Sequence, residues 1–314
     1  GKGRQDLQGI SWEGLRSSSG QTRNMAQYYG RTPSRLAGRE KEAAMTRRAV
    51  VAGTFYEGTR DRLRTQVVRL LAPDVTPEEV IGVVVPHAGY VYSGRVAGAV
   101  YSRVAWPESW VILGPNHTGQ GFQASIMVSG EWETPLGAVP VDGELAKAIL
   151  GHSTVLGEDP LAHAREHSIE VQLPFLQIRG EPFCFVPISL YRHEYAVCQE
   201  VGQALAAGIR QVGKRVVLVA STDMSHYVSR TEAAAKDRKA LDAILALDPE
   251  GLHRVVRREG ISMCGFHATV AMLVAAKALG ATSAELVKYT DSGEVTGDTA
   301  EVVAYDGLII RSLG

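Results

Sequence analysis

The strongest constraint on the fold is an alternation between strand-like apolar runs and helical patterns. Five runs, at 81–85, 110–113, 183–190, 215–220 and 299–311, are rich in β-branched and aliphatic residues. Such composition is typical of strands that are covered on both faces. The last run is predicted to bend or break at Gly307. Shorter strand candidates lie at 125–128 and 285–289.

Helical patterns separate these runs, and helices are the usual crossovers between parallel strands. We therefore predict a single α/β domain with a central, largely parallel or mixed sheet flanked by helices. A Pro- and Gly-rich stretch at 131–141 is expected to form a surface loop or hairpin. The helical patterns cover residues 60–71, 94–104, 143–150, 169–178, 194–210, 231–247 and 265–279.

Charge divides the chain into two parts. Residues 1–44 carry eight basic and four acidic side chains, whereas 45–314 carry the other 25 of 33 basic and 30 of 34 acidic ones. The leading segment has seven glycines and no apolar period, so we predict a disordered basic N-terminal extension or vector-derived residues. A basic tail that contacts a partner is the alternative. The folded domain is predicted to span 45–314.

Composition excludes several classes of protein. A net charge of -1 argues against a nucleic-acid binder. The sequence contains no apolar run of the roughly 18 residues that a membrane span needs. Three scattered cysteines do not make a disulfide framework. We expect a soluble cytoplasmic protein, and its oligomeric state is left open.

Three histidines follow predicted strands within a few residues. His87 ends Val-Val-Val-Pro-His, His117 ends Leu-Gly-Pro-Asn-His, and His226 follows Ala-Ser-Thr-Asp-Met-Ser. The carboxyl ends of parallel strands meet at one edge of a sheet, where ligands bind. These imidazoles are therefore expected to converge. A single histidine in such a place is more often a core or loop residue, but three in the same context favour a site.

Two further candidates lie close to that edge. Asp223 precedes His226 by three residues and could ligate a metal, orient an imidazole or cap the following helix. Cys264 comes just before the apolar helix at 265–279, whose positive end would favour a thiolate that could act as a soft ligand or nucleophile. A small buried residue is the alternative for Cys264. His267 could belong to the site or face helix packing.

The segment 166–175 is a third cluster. His167 and Glu170 are spaced i,i+3, so on a helix they would share a face and could line a pocket, or simply face solvent. Glu166 and Glu170 would share a face as well. The remaining histidines, His152, His163, His193 and His253, are predicted to be surface residues.

Two imidazoles and one anionic ligand form the open site of non-haem Fe(II) oxygenases and some zinc enzymes. His87, His117 and Cys264 could supply that set, with Asp223 in or beside it, and a thiolate favours Fe, Cu(I) or Zn over Mg or Ca. His226 or His167 could act as the acid/base. A Ser-His-Asp hydrolase is weaker, because no Gly-x-Ser-x-Gly elbow occurs in the sequence. The absence of a phosphate-loop motif makes a nucleotide enzyme a weak reading too.

Five motifs in order closely resemble the Memo family, whose bacterial and archaeal members are protein B of the AmmeMemoRadiSam system. The likeness runs from about residue 50 to 311, and Gly-Thr-Phe-Tyr (53–56) also resembles the opening of that family. The motifs are Pro-His-Ala-Gly-Tyr (86–90), Gly-Pro-Asn-His (114–117), Glu-His-Ser-Ile-Glu-x-Gln-Leu-Pro-Phe (166–175), Ser-Thr-Asp-Met-Ser-His-Tyr (221–227) and Cys-Gly-x-His (264–267).

The resemblance implies a fold similar to class III extradiol dioxygenases, a non-haem iron group. By that analogy His87 and His117 are metal ligands, Cys264 stands where those enzymes place a glutamate, His226 is the acid/base, and Asp223 lies beside the metal. His167 is our second acid/base candidate. We further predict substrate contacts from Tyr90, Asn116, Glu170 and His267.

Two functions follow from the resemblance. The first is a dioxygenase-like redox enzyme with Fe(II), or else Cu or Zn, acting on an unidentified small molecule such as a catechol. The second is a non-catalytic protein that binds a metal or a phosphotyrosine peptide in the same cleft, as is described for animal Memo. The family also implies radical-SAM system proteins as partners.

Overall fold

The fold is described from a computed structural model, which covers residues 45–180 and 182–312. The predicted extension at 1–44 lies outside the described residues and stays a prediction. The strands are β1 (Thr46–Arg47), β2 (Gly82–Val85), β3 (Ser109–Pro115), β4 (Ala124–Ile126), β5 (Glu131–Thr134), β6 (Gly137–Pro140), β7 (Gly157–Glu158), β8 (Phe185–Leu190), β9 (Val216–Ser221), β10 (His226–Val228), β11 (Ser283–Asp291) and β12 (Val302–Arg311).

The helices connect the strands much as the sequence predicts. They are α1 (Arg60–Leu70), α2 (Tyr90–Ser102), α3 (Gly143–Gly151), α4 (Leu161–Ala164), α5 (Leu173–Ile178), α6 (Tyr195–Val212), α7 (Arg230–Leu245), α8 (Pro249–Glu259), α9 (Phe266–Ala278) and α10 (Gly293–Thr296), with a 3-10 helix at Glu170–Gln172.

The main sheet is mixed, with a parallel centre. Its order is β10-β12-β2-β9-β3-β8-β4-β7. Strand β11 pairs with β12 on the side that faces away from β2. The four central strands β2, β9, β3 and β8 are parallel, whereas β12 and β4 join them antiparallel. A smaller sheet contains β1, β5 and β6, and the β5–β6 hairpin confirms the hairpin prediction for 131–141.

The core lies on both faces of the main sheet, which confirms the α/β prediction. Val84 of β2 packs into a cluster with residues of α3, α6 and α9, while its neighbours Val83 and Val85 pack with α1, α2 and α5. This alternation follows from the period of two along a strand. Layers of helices thus cover both faces, and the carboxyl ends of the central strands stay open at one edge.

The last strand is predicted to bend or break at Gly307, and the break is wrong. β12 runs through Gly307 without interruption, and the register shift occurs opposite it, between Leu286 and Lys288 of β11. A Cβ at Gly307 would come within 2.5 Å of Val100 Cγ2, so the glycine allows α2 to pack closely on the strand.

Candidate metal centre

The functional candidates gather at the carboxyl edge of three adjacent parallel strands. His87 follows β2, His117 follows β3, and Asp223 follows β9, which lies between β2 and β3 in the sheet. The ring centroids of His87 and His117 are 5.2 Å apart. The prediction that strand-end histidines converge is therefore confirmed for this pair.

Three imidazoles form a compact group at this edge. Among the residues the structure describes, His87, His117 and His167 each offer one nitrogen within 4.8 Å of the others. His167 stacks on His117 with ring centroids 4.7 Å apart, and its ring lies 5.6 Å from that of His87. The group is arranged as a metal site would require, since imidazole nitrogens are ligands for Fe, Cu and Zn.

The hydrogen bonds around His87 fix its tautomer. Ser221 Oγ donates its one proton to the Ser168 carbonyl (2.7 Å) and accepts from Gln172 Nε2 (2.9 Å). The remaining contact of this hydroxyl, 2.9 Å from His87 Nδ1, must then be a bond that the imidazole donates. Gln172 is itself oriented, because its Oε1 accepts from the Tyr101 hydroxyl. His87 is therefore protonated on Nδ1 and presents the lone pair of Nε2.

His87 is also kept uncharged. It is 2% exposed, and burial together with the nearby His117, His167 and His226 holds its pKa well below the ordinary value. A neutral imidazole with a free Nε2 lone pair is the form that binds a metal.

His117 is held by a buried carboxylate. Its Nδ1 donates to Glu166 Oε1 at 2.9 Å, and its backbone N–H donates to Glu166 Oε2 at 2.6 Å. Burial alone would lower the pKa of His117, but the Glu166 hydrogen bond and charge outweigh it and raise that pKa. Although burial favours the neutral acid, the bond and charge of His117 lower the pKa of Glu166 to about 2. Carboxylate–histidine pairs of this kind orient metal ligands in many proteins.

His167 precedes the helix, so it does not share a helix face with Glu170 as the i,i+3 spacing would allow. The helical segment begins only at Glu170, and 166–169 form a turn in which Glu166 accepts the backbone N–H groups of His167 and Ser168. The turn directs His167 toward the other two imidazoles. Burial lowers the pKa of His167.

Cys264 touches the same group from its other side. Its Sγ lies 3.2 Å from His87 Nε2 and accepts the backbone N–H of Asp223 at 3.2 Å. Burial and the Asp223 carboxylate raise the pKa of the Cys264 thiol in the metal-free protein, which opposes the expected activation by the helix end. The sulfur is not among the three atoms within 4.8 Å, yet it adjoins the free nitrogen of His87.

Asp223 holds the loop that carries His87. Its Oδ1 accepts the backbone N–H groups of His87 (2.8 Å) and Ala88 (3.3 Å), while its Oδ2 lies 4.0 Å from His87 Nε2. The helix-cap alternative is wrong, since Ser229 supplies its own side chain as the cap of α7. Burial raises the pKa of the Asp223 carboxyl.

A cavity of about 570 Å³ opens onto these residues. His226 lines it, and its Nδ1 is buried without a hydrogen-bond partner among the described residues. Tyr227 is 74% exposed at φ 57°, a conformation that a tyrosine rarely adopts. The lining includes Phe55, His87, Tyr92, His117, His167, Asp223, His226, Tyr227 and Tyr305.

Glu170 is not brought to the cavity. It is fully buried, where it pairs with Arg47 and accepts the Tyr56 hydroxyl and the backbone N–H groups of Val50 and Val51. All of its acceptor sites are used by the protein. Its role is to anchor the segment after β1, which corrects the prediction of a substrate contact.

The other predicted substrate contacts also have structural partners. The Tyr90 hydroxyl donates to the Val171 carbonyl at 2.5 Å, and Asn116 closes its own turn through the N–H groups of Thr118 and Gly119. His267 accepts the backbone N–H of His193 and lines a separate cavity. None of these three lines the cavity of His87 in the described chain.

Sequence reasoning missed the residues that orient the ligands. Hydrogen bonds to the imidazoles or to one another are made by Glu166, Ser221 and Gln172. The only sequence signal for these three residues is that each lies inside a polar motif that also contains a candidate ligand. The surface prediction is wrong for His163, which is fully buried, and for His253, which is 7% exposed.

The donor set fits a soft or borderline transition metal. The site contains two imidazoles whose Nδ1 atoms are hydrogen-bonded, a third imidazole and a thiol. Mg²⁺ and Ca²⁺, by contrast, prefer oxygen ligands. No helix in the described part of the chain has the length and apolar character to cross a membrane.

Comparison with known proteins by family model and by sequence points to one family. A family model described as "Memo-like protein" matches residues 47–309. A MEMO1 family protein of Methanopyrus kandleri is 44% identical over 281 residues, which cover 85% of this chain and 99% of that protein. A MEMO1 family protein of Methanothermobacter thermautotrophicus is 40% identical over 276 residues, covering 84% and 100%. A solved structure of an uncharacterized Escherichia coli K12 protein aligns with a TM-score of 0.49 at 13% identity, covering 73% and 99%.

Proposed function

This chain belongs to the Memo-like protein family, and we propose that its carboxyl-edge cleft binds a transition-metal ion, with Fe(II) preferred and Cu or Zn as alternatives. His87 and His117 are the first two ligands of this proposal. The third is Cys264 or His167. The substrate would be a small molecule that enters the 570 Å³ cavity.

The single observation that carries the proposal is the fixed tautomer of His87. The bonds of Ser221 place the proton on Nδ1, so Nε2 presents a lone pair 3.2 Å from the Cys264 sulfur. His117 is oriented in the same manner by Glu166. A histidine that serves only packing has no need for this outer set of bonds, whereas metal ligands commonly have one.

A bound Fe(II) would supply one-electron chemistry and open positions for a substrate and O2. The chain's own residues would do the rest. His226 lines the cavity, so its imidazole can accept or return a proton at the cavity wall. Asp223 fixes the loop of His87 through two backbone N–H groups. Phe55 packs edge-on against His167 at 4.8 Å and closes one side.

Metal analysis of ligand variants tests the proposal. We expect His87→Ala and His117→Ala to lower Fe(II) affinity at least tenfold, or about 1.4 kcal/mol. His152→Ala is the matched control, because His152 is exposed and bonds Gln211. Retention of wild-type metal affinity by both ligand variants would refute the site.

The third ligand is decided by Cys264→Ala and His167→Ala. Whichever residue ligates the metal should show the same tenfold loss, with Cys184→Ala as the control for removing a half-buried thiol elsewhere. If neither variant changes affinity, the three-ligand proposal fails.

Oxygen uptake separates the two functions. Anaerobically purified, iron-loaded protein should consume O2 in the presence of one member of a panel of catechols and other small reductants, and His226→Ala should slow that uptake while retaining metal. Stable metal binding without any turnover would favour the non-catalytic metal- or peptide-binding alternative.

A further inference from the structure

A second cavity, of about 390 Å³, adjoins the proposed metal centre. His117 lines both this cavity and the first one, whereas Cys264 lines the second. The second cavity therefore gives separate access to the thiol side of the centre.

The lining of this cavity is rich in hydrogen-bond donors. Of the described residues that line it, none is Asp or Glu, while Arg192 and His267 both contribute donors. Arg192 is exposed and has no carboxylate partner in the described chain; its guanidinium lies 5.8 Å from the ring of Tyr191. By contrast, Arg257 nearby is paired with Glu194 at 2.7 Å.

His267 adds a second donor. It is 8% exposed, and its Nε2 accepts the backbone N–H of His193 at 3.2 Å. Burial and the neighbouring His193 and His253 lower its pKa to about 3, so the neutral ring carries its proton on Nδ1. That N–H has no acceptor among the described residues, and it is accessible although the residue as a whole is only 8% exposed.

The first turn of α9 also offers N–H donors to this cavity. Phe266 and His267 begin this 13-residue helix, and the N-cap Gly265 has no side chain to satisfy the first N–H groups. Free N–H groups at a helix N-terminus attract anions.

We propose that this second cavity binds a small anionic ligand, a carboxylate or a phosphate group, between Arg192 and His267. A guanidinium, an unpaired imidazole N–H and helix N–H groups are the donors that carboxylates and phosphates require. A neighbouring groove of about 470 Å³ shares Arg192, Phe266 and His267, so the ligand can extend beyond its charged group. The proposal rests on these donors and does not require the metal.

The test is a calorimetric titration of the full chain with inorganic phosphate and with malonate at constant ionic strength. We expect saturable binding of at least one, with a Kd in the millimolar range or tighter. Arg192→Gln should weaken it at least tenfold. Arg64→Gln is the matched control, since Arg64 is an exposed arginine on α1, and it should change the Kd less than twofold.

Metal content measured on the same samples keeps this test separate from the metal proposal. We expect Arg192→Gln to retain wild-type metal. Absence of saturable binding to the wild type, equal weakening by both arginine variants, or loss of metal in Arg192→Gln would each overturn the anion site. Failure of metal binding with intact anion binding would refute only the proposed function.

Discussion

Replacing Glu166 by Gln tests whether a buried carboxylate orients the metal ligands. Glu166 Oε1 accepts from His117 Nδ1 (2.9 Å), His167 N (2.9 Å) and Ser168 N (2.8 Å), and Oε2 accepts from His117 N (2.6 Å). Glutamine has one acceptor oxygen where the carboxylate has two. The NH2 of the glutamine side chain must therefore face at least one backbone or ring N–H, and that N–H is left without an acceptor.

The size of the effect follows from this geometry. One buried N–H without an acceptor costs about 1–3 kcal/mol of folding free energy. The bond to His117 changes from charge-assisted to neutral and becomes about half as strong. Loss of such an outer partner typically lowers metal affinity 10–100-fold, or about 1.4–2.7 kcal/mol. We expect Glu166→Gln to remain folded and to bind Fe(II) at least tenfold more weakly.

The assay combines urea unfolding of the metal-free protein with anaerobic Fe(II) titration at pH 8. Glu170→Gln is the control, because Glu170 is equally buried and lies four residues away, but bonds Arg47, Tyr56 and the segment after β1. Breaking its ion pair with Arg47 should destabilise the fold by about 3 kcal/mol while metal affinity stays within about twofold.

Two results would refute this reasoning. Wild-type affinity in a folded Glu166→Gln protein would show that the carboxylate does not support the ligands. Equal loss of affinity in both variants would show that metal binding merely follows stability.

Three further predictions concern protons. Burial and the charge of Arg47 lower the pKa of His163 to about 4. The free energy of unfolding that the neutral ring contributes is therefore complete above pH 6.5 and is lost as pH falls toward 4. Urea unfolding should show a loss of about 2–3 kcal/mol by pH 4.5 that is missing in His163→Gln, and parallel pH profiles of the two proteins would contradict this prediction. Burial and the neighbouring Asp237 and Asp223 raise the pKa of Asp306, whose carboxylate oxygens have no partner in the described chain, so its ionisation removes stability as pH rises above the ordinary value. Asp306→Asn should therefore be more stable than the wild type at pH 7, and a less stable variant would disprove this. Protons compete with a metal for imidazole and thiolate, so the bound metal should dissociate on acidification, and full retention at pH 4 by metal analysis would exclude these ligands.

The strands and the convergence of His87 with His117 could be predicted because their causes are local. Each central strand is a short run of buried aliphatic residues, and parallel strands leave their carboxyl ends at a common edge. Helix α8 was missed because five of its eleven residues are charged and its buried aliphatic side chains are only Leu252 and Val256. Asp248 before it, Pro249 at its first position and Gly260 after it are nevertheless typical signals of a helix start and end.

The segment 166–178 shows what sequence periodicity cannot supply. His167 and Glu170 fit one helix face by spacing, yet the turn at 166–169 sends one side chain to the metal site and the other to Arg47. The path of this turn depends on which groups donate hydrogen bonds to the Glu166 carboxylate. Two of these groups belong to His117, 49 residues away. Long-range hydrogen bonds of this kind decide an active site without leaving a periodic pattern.

The donors near His87 come from distant parts of the chain: Cys264 lies 177 positions away from it. An unfolded polypeptide therefore has no preassembled chelate, and a cation held here is bound almost wholly by the native state. At a free ion concentration 100 times Kd, this linkage would add about 2.7 kcal/mol to folding. Thermal denaturation in the presence and absence of a strong chelator would thus report site occupancy even in a crude preparation, with no substrate in hand.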